Sequence, residues 1–253
     1  MIDSHAHLDL ADFDHDRATL FQQMHVNGIE TALIPGIRES NWSKQIAIAN
    51  EFNCYFALGI HPWYVPDDIP KSLDALNHHI GIHNADDNFV ALGECGLDKL
   101  KGWGQPQIEL LTGQLGMAID WNLPVILHAV KAHPELLASL KTYQNQKGGV
   151  IHGFYGGPEL AQSYIKLGYK LGIGGLLMNP HAKKLHKTVT EVDIKHFIIE
   201  TDSPSMTPYN SVEKRNTPLQ LSNFVQKIAN LQKKTTVFIL EQLDRNVSQL
   251  FEL

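Results

Sequence analysis

Short apolar runs alternate with longer amphipathic stretches along the whole chain. Eight of the runs are rich in Val, Ile and Leu and are bounded by Gly, Pro or polar residues, which is typical of buried strands. The eight predicted strands are Met1–His5, Thr31–Pro35, Tyr55–Ile60, Phe89–Glu94, Pro124–His128, Val150–His152, Lys170–Ile173 and Phe197–Glu200.

The stretches between and after these runs have the spacing of helices, several with a proline near the start, where a helix tolerates it. The predicted helices are Asp14–Asn27, Asn41–Glu51, Gln105–Asn122, Pro134–Tyr143, Pro158–Leu167, Thr217–Leu231 and Thr235–Phe251. Strands that alternate with helices indicate parallel βα units. No linker, low-complexity tract or repeat divides the chain, so we predict one domain over residues 1–253.

A length of 253 residues suits either two small domains or one large one, and it is typical of a single (β/α)8 barrel. A doubly wound open sheet is the main alternative. The glycine-rich dinucleotide fingerprint that such a sheet often carries after its first strand is absent here. The predicted class is therefore α/β, with one (β/α)8 TIM barrel.

Five of the apolar runs finish on a residue that can bind a metal ion. In a barrel of parallel strands, all C-terminal strand ends lie on one face, so residues far apart in sequence converge there. Four imidazoles and two carboxylates in one cluster are what two divalent ions with open positions require. The six candidate ligands are His5, His7, Glu94, His128, His152 and Asp202.

The candidates differ in what each could do. His5 and His7 are alternate residues of an extended chain, so both imidazoles can point at one ion. Glu94 would be costly to bury unpaired, and a carboxylate can offer one oxygen to each of two ions; a Glu paired with a cation at the rim is the alternative. Asp202 could bind a metal and accept a proton from an attacking water.

The remaining strand-end histidines admit structural interpretations. A lone histidine such as His128 or His152 is more often a hydrogen-bonded structural residue, but two of them beside Glu94 favour ligation. His61 could donate to a leaving group or a phosphate oxygen, or it could be a packed structural residue. His133 is an intermediate case, and most other histidines are predicted to lie on the solvated surface.

The composition is that of an ordinary globular protein, with 43% hydrophobic and 19% charged residues. A net charge of -6 excludes a protein that coats nucleic acid through a basic surface, but it allows local binding of a phosphate chain. Cys54 and Cys95 are expected to be reduced core thiols. No signal peptide or membrane-length run is visible, so we expect a cytoplasmic location, no membrane contact and no obligate protein partner.

Several motifs together resemble the TatD family of metal-dependent deoxyribonucleases, among the amidohydrolase-like barrels. The matching segments run in register from the first residues to the C-terminus, and Leu97-Asp98-Lys99 is similar to the YjjV-like branch. The segments are Asp3-Ser4-His5-Ala6-His7-Leu8, Gly59-Ile60-His61-Pro62, Gly93-Glu94-Cys95-Gly96-Leu97-Asp98, Pro124-Val125-Ile126-Leu127-His128, Val150-Ile151-His152-Gly153-Phe154, Glu200-Thr201-Asp202-Ser203-Pro204, Lys214-Arg215-Asn216-Thr217-Pro218 and the late Asn246 with Leu250-Phe251.

The resemblance implies a (β/α)8 barrel that hydrolyses phosphodiesters with two divalent ions (Zn, Mn, Mg, Co or Fe). By position, one ion would be held by His5, His7, Glu94 and Asp202, and the other by Glu94, His128 and His152. Many relatives have an Arg two residues after the histidine of the fifth strand. Val130 stands there in this chain, followed by Lys131, so a cation that could contact phosphate has moved or gone.

Our first hypothesis is a deoxyribonuclease that acts on DNA ends or single strands through a water activated by two metals. Asp202, Glu94 and His61 are its candidate catalytic residues. Candidate phosphate contacts are Lys99, Lys131, Lys214 and Arg215. Hydrolysis of a small amide, lactone or ester by the same binuclear site is the alternative, since one barrel supports many chemistries. A metal-stabilised binding protein is the third hypothesis.

Overall fold

Eight parallel strands form one barrel in a computed structural model that describes all residues 1–253. Each strand pairs with the next one in sequence, from the first to the eighth. The strands are β1 (Ile2–Asp3), β2 (Thr31–Ile34), β3 (Tyr55–Leu58), β4 (Phe89–Asp98), β5 (Val125–Val130), β6 (Gly149–Ile151), β7 (Tyr169–Ile173) and β8 (Phe197–Ile199). The predicted class, a single (β/α)8 barrel, is confirmed.

The barrel closes just beyond the ends of β1 and β8. Ser4 N donates to Ile199 O at 3.1 Å, Asp202 N donates to His5 O at 2.8 Å, and His7 N donates to Ser203 O at 2.8 Å. These bonds run between two extended segments that each carry candidate ligands. Closure of the barrel therefore brings the two ends of the ligand set side by side.

Nine helices surround the barrel and close its lower end. They are α1 (Arg17–Val26), α2 (Glu39–Glu51), α3 (Ile69–His83), α4 (Gln105–Asp120), α5 (His133–Thr142), α6 (Pro158–Ile165), α7 (Lys183–Glu191), α8 (Leu221–Gln232) and α9 (Thr236–Phe251). Pro106, Pro134 and Pro158 lie in the first turns of α4, α5 and α6, as predicted. None of the helices combines the length and the apolar character needed to cross a membrane.

Two helices were not predicted, and the fourth strand is much longer than predicted. α3 and α7 lie in stretches whose polar and histidine content obscured the helical pattern. The fourth strand continues past the predicted end at Glu94 as far as Asp98, with an irregularity in its pairing with β5 between Leu92 and Cys95. The longer β4 therefore carries both Glu94 and Asp98 at the C-terminal face of the barrel.

The core has two parts. A large cluster of 53 buried residues lies mainly between the strands and the helices. A smaller cluster of ten joins alternate strand residues, such as Leu33, Ala57 and Ile198, to Val247, Leu250 and Phe251 of α9. Because alternate strand residues point to opposite faces, the smaller cluster fills the barrel interior, and α9 forms its floor.

Candidate metal centre

The six candidate ligands meet at the C-terminal ends of the strands. Each is buried, with at most 9% of its surface exposed. The nearest ring nitrogens of all four histidines lie between 3.0 and 3.5 Å from the carboxylate of Glu94. The sequence placed these residues on one face, and the structure brings them into direct contact.

One group of donors surrounds the Oε2 side of Glu94. Nε2 of His5 lies 3.2 Å from Glu94 Oε2, 3.3 Å from Nε2 of His7 and 3.5 Å from Oδ1 of Asp202. Nε2 of His7 lies 3.5 Å from Glu94 Oε2 and 3.4 Å from Asp202 Oδ1. Four donors around a tetrahedral ion with bonds of about 2.0–2.2 Å would be about 3.3–3.6 Å apart. The observed spacing therefore fits a divalent ion.

A second group of donors surrounds the other oxygen of the same carboxylate. Glu94 Oε1 lies 3.1 Å from Nδ1 of His128 and 3.0 Å from Nε2 of His152, and the two nitrogens are 3.3 Å apart. The two oxygens of Glu94 thus face two different sets of imidazoles. The carboxylate of Glu94 could therefore serve as a ligand on either side.

The charges in the cluster also fit metal binding. Burial opposes the charged form of His7, but its contacts with Asp202 and Glu94 outweigh burial and raise its pKa to about 10. Burial opposes the charge of Glu94 as well, yet the facing imidazoles, His152 foremost, hold its pKa well below the ordinary value. The pKa of His152 is raised well above its usual range, against burial, chiefly by the charge of Glu94. Divalent ions would replace these extra protons.

His61 also approaches Glu94, and its tautomer follows from its own hydrogen bonds. Its Nδ1 accepts the backbone N–H of Trp63 at 3.0 Å, so the proton of the neutral ring lies on Nε2. Nε2 is 3.2 Å from Glu94 Oε1, and burial lowers the pKa of the ring. His61 is therefore a hydrogen-bond donor at the centre, and its local geometry disfavours ligation through Nε2.

Two further carboxylates support the histidines from outside, and these contacts were not predicted from the sequence. Asp98 Oδ2 lies 3.2 Å from Nε2 of His128, which leaves Nδ1 of that ring directed at Glu94. Glu200 Oε1 lies 3.7 Å from Nδ1 of His152 and accepts the Gly153 N–H at 2.5 Å. Carboxylates behind metal-binding imidazoles fix the ring orientation and the tautomer.

Asp3 ties together the two segments that close the barrel. Its Oδ1 accepts the N–H groups of His5 at 3.3 Å and Thr201 at 3.0 Å, and its Oδ2 accepts the Thr201 hydroxyl at 2.5 Å. Burial is the largest influence on this carboxyl and raises its pKa to about 7. Asp3 thereby fixes the position of the histidine pair relative to the segment that carries Asp202.

The four candidate phosphate contacts lie in different surroundings. Lys99 pairs with Glu135 at 2.6 Å, and Arg215 binds the carboxylate of Asp16 through both terminal nitrogens. The side chains of Lys131 and Lys214 are exposed, and neither forms an ion pair. The charges of Lys99 and Arg215 are thus already balanced by carboxylates. Lys131 and Lys214 are free to contact a substrate.

The open side of the centre is a cleft of about 120 Å³. Its walls include Trp63 and Tyr64, and its base includes ligand candidates from β4, β5 and β6. The indole of Trp63 is 45% exposed and lies 4.9 Å from the His61 ring, centroid to centroid. A substrate can therefore reach the cluster from solvent past an aromatic rim.

Known proteins match the chain over its full length. The model of the family described as TatD related DNase matches residues 2–252. The metal-dependent hydrolase YjjV of Escherichia coli is 31% identical, covering 100% of this chain and 98% of the relative. The crystal structure of YjjV superposes with a TM-score of 0.93 at 30% identity, covering 100% of this chain and 98% of YjjV. The 3'-5' ssDNA/RNA exonuclease TatD of E. coli is 28% identical, covering 99% and 98%.

A (β/α)8 barrel with a buried carboxylate–imidazole cluster at the C-terminal ends of its strands defines a metal-dependent hydrolase. The match in family and structure makes the identification more specific. The chain belongs to the TatD family.

Proposed function

We propose that the chain is a phosphodiesterase, a deoxyribonuclease that acts on DNA ends or single strands. The main support for this proposal is the position of Glu94, whose two oxygens face two separate groups of donors within 3.0–3.5 Å. Sites with two metals that share a carboxylate are suited to displacement at phosphorus. The names of relatives such as the TatD exonuclease of E. coli add support from outside the chain.

The proposed ligands follow the two groups. His5, His7, Glu94 and Asp202 would hold one divalent ion, and Glu94, His128 and His152 would hold the other. Mixed imidazole and carboxylate donors suit Zn, Mn, Co or Fe and also accept Mg. Bound ions supply positive charge to the phosphate oxygens and acidity to the attacking water.

The chain's own groups move the protons. Asp202 Oδ1 faces His5 and His7, which leaves Oδ2 to orient the attacking water and accept its proton. The water oxygen bonds to phosphorus as the bond to the leaving oxygen breaks. Nε2–H of His61, fixed by the bond from Trp63 N to its Nδ1, donates a hydrogen bond to the leaving oxygen or to a neighbouring phosphate oxygen, and the leaving oxygen takes up its proton from solvent water.

Substrate binding relies on few cations, because the net charge of the chain is -6. Lys131 and Lys214 are the exposed candidates, and Lys99 and Arg215 would have to exchange an acidic partner for phosphate.

We place the protein in the cytoplasm as one domain over residues 1–253. Two free, buried thiols support the cytoplasmic location. A barrel whose interior is closed by α9 supports the single domain.

The test is a comparison of substrates on protein of defined metal content. Chelated protein is reloaded with each candidate metal, its stoichiometry is measured by elemental analysis, and it is assayed on single-stranded DNA, double-stranded DNA and a panel of small esters. We expect two ions per chain and cleavage of DNA ends or single strands. Intact DNA under every metal, with ready turnover of a small ester, would establish the small-ester alternative instead.

A further inference from the structure

A second, larger groove of about 640 Å³ lies on the same end of the barrel as the metal centre. It is formed by the end of β5 and by the segments that follow β5, β6 and β7. The residues of this groove that bear on its chemistry are Val130, Lys131, Tyr155, Leu176, Asn179 and His181.

The groove adjoins the metal centre through the chain itself. Val130 stands two residues after His128, and Gly153 directly follows His152. Gly153 also donates its N–H to Glu200, the carboxylate behind His152. A nucleic-acid strand with one phosphate at the metal centre would therefore have its next nucleotide within reach of the groove.

The lining of the groove is mostly apolar, with one large aromatic side chain. Val130 and Leu176 are half-buried, while 45% of the surface of Tyr155 is exposed. A cavity of this size is in the range of about 300–1,000 Å³ that small ligands occupy. An apolar wall beside a solvent-facing ring suits a flat, aromatic ligand, since aromatic side chains stack with the faces of bases.

The polar groups of the groove favour a ligand that is also negatively charged. None of its lining residues is acidic. Lys131 is exposed and forms no ion pair, unlike Lys99 with Glu135 or Arg215 with Asp16. Asn179 and His181 can exchange hydrogen bonds with the polar edge of a base. An apolar acyl group would use neither the cation nor the polar edge.

We propose that this groove binds a nucleobase of the substrate strand, which stacks on Tyr155 while Lys131 contacts an adjacent phosphate. The proposal rests on the nuclease function proposed above and assigns a base-binding subsite to it. Stacking on an aromatic ring tolerates every base, so the subsite selects single-stranded over paired nucleic acid without selecting sequence.

The test measures binding to metal-free protein, so that it does not depend on turnover. Fluorescence anisotropy of a labelled short oligothymidylate in chelator gives the dissociation constant for wild type, Tyr155→Ala, Tyr155→Phe and Lys131→Ala. Phe238→Ala is the matched control, because Phe238 is 41% exposed but lies on α9, which closes the opposite end of the barrel. An abasic oligomer of the same length serves as the second ligand.

We expect Tyr155→Ala to weaken oligothymidylate binding about 5- to 100-fold, the range seen when a stacking aromatic is removed. Tyr155→Phe and Phe238→Ala should bind like wild type, and Tyr155→Ala should not change binding of the abasic oligomer. Lys131→Ala should weaken both ligands and reduce the dependence on salt. Equal binding of oligothymidylate by wild type and Tyr155→Ala would overturn the subsite, even if metal-loaded wild type cleaves DNA. Failure of that cleavage would overturn the nuclease function itself.

Discussion

The indole of Trp63 donates a hydrogen bond from Nε1 to Oδ2 of Asp98 at 2.6 Å. The same oxygen lies 3.2 Å from Nε2 of His128, so one carboxylate links the aromatic rim of the cleft to a proposed metal ligand. Asp98 also accepts the Leu100 N–H through Oδ1 at 2.7 Å. Its position is thus fixed from three directions, and it in turn fixes the tautomer of His128.

Replacing Asp98 with Asn should weaken metal binding without unfolding the barrel. The amide can no longer offer a charged acceptor to Nε2 of His128, and loss of such a partner typically costs about 10–100-fold in metal affinity or activity. Titration of the chelated protein with metal, followed by calorimetry and by activity, measures the effect. We expect activity to return partly at high metal. An unchanged titration curve would show that Asp98 serves only to hold Trp63.

Asp202→Asn should nearly abolish turnover while the fold survives. Asp202 has a φ of 57°, a left-handed conformation that Asn tolerates better than most residues. The amide cannot accept the proton of the water, which alone should cost ~10²–10⁴-fold. Initial rates at saturating metal, with circular dichroism as the control for folding, provide the measurement. A variant that keeps more than about a tenth of the wild-type rate would make Asp202 a structural residue.

Asp3 should make stability depend on pH. Its folded pKa of about 7 lies above the ordinary 3.8, so the folded protein keeps a proton that the unfolded chain releases between these values. The free energy of unfolding should therefore fall as pH rises from about 4 to about 7, by roughly 1–4 kcal/mol. Below this range the contribution is fully present, and above it the contribution is lost.

The matched variant for this prediction is Asp3→Asn. Its amide can donate to the Thr201 hydroxyl, which can turn to the hydroxyl of Ser203 at 2.6 Å. Urea unfolding of both proteins in chelator at several pH values gives the two profiles. We expect the difference between them to shrink or change sign as pH rises, because only the wild type loses the contribution of the Asp3 proton. Parallel profiles would contradict the raised pKa of Asp3.

The loop that carries Lys214 and Arg215 offers a test of direct against indirect contact with DNA. Arg215 is held by Asp16, donates to Asp12 O at 2.6 Å and lies over the Phe13 ring. We therefore expect Asp16→Ala to reproduce the effect of Arg215→Ala, because both release the loop. Lys214→Ala should raise KM for DNA more than it lowers kcat and reduce the salt slope of binding by about 1. Steady-state kinetics at several salt concentrations separates the two cases, and an Arg215→Ala effect absent from Asp16→Ala would indicate direct phosphate contact.

The sequence predicted that the candidate ligands converge because chemistry and topology coincide at strand ends. Buried strands have few places for a charged group, so a metal-binding residue at the end of an apolar run must face the C-terminal opening. That reasoning predicted that residues as far apart in sequence as His5 and Asp202 would meet. In the structure, His5 Nε2 and Asp202 Oδ1 are 3.5 Å apart. The assignment of these residues to two ions remains a prediction.

The two helices α3 and α7 were not predicted, for different reasons. α3 carries Ile69, Leu73, Leu76 and Ile80 at helical spacing, and Asp68 accepts the Lys71 N–H as an N-cap. This signal was present and was masked by the histidines and prolines around it. α7 buries only Leu185, Thr188 and Val189 among lysines and a histidine, so too few apolar positions recur for its pattern to stand out.

Contacts between loops lie beyond what periodicity can predict. Trp63 follows β3 and Asp98 ends β4, and nothing in either segment specifies that the indole will point at the carboxylate. The extension of β4 past Glu94 decides it, because it raises Asp98 to the level of the cleft. The same holds for Glu200, whose contact with Gly153 depends on the register of β6 and β8 around the barrel.

The floor that α9 provides has a consequence for how the molecule is made. Val247, Leu250 and Phe251 fill the lower interior, yet they are among the last residues of the fold to be synthesised. A ribosome delivers the N-terminal strands first. All eight strands are therefore translated while the interior still lacks its plug, and the nascent barrel presents Leu33, Ala57 and Ile198 to water or to a chaperone. Final packing of the interior therefore has to wait for the arrival of the last helix.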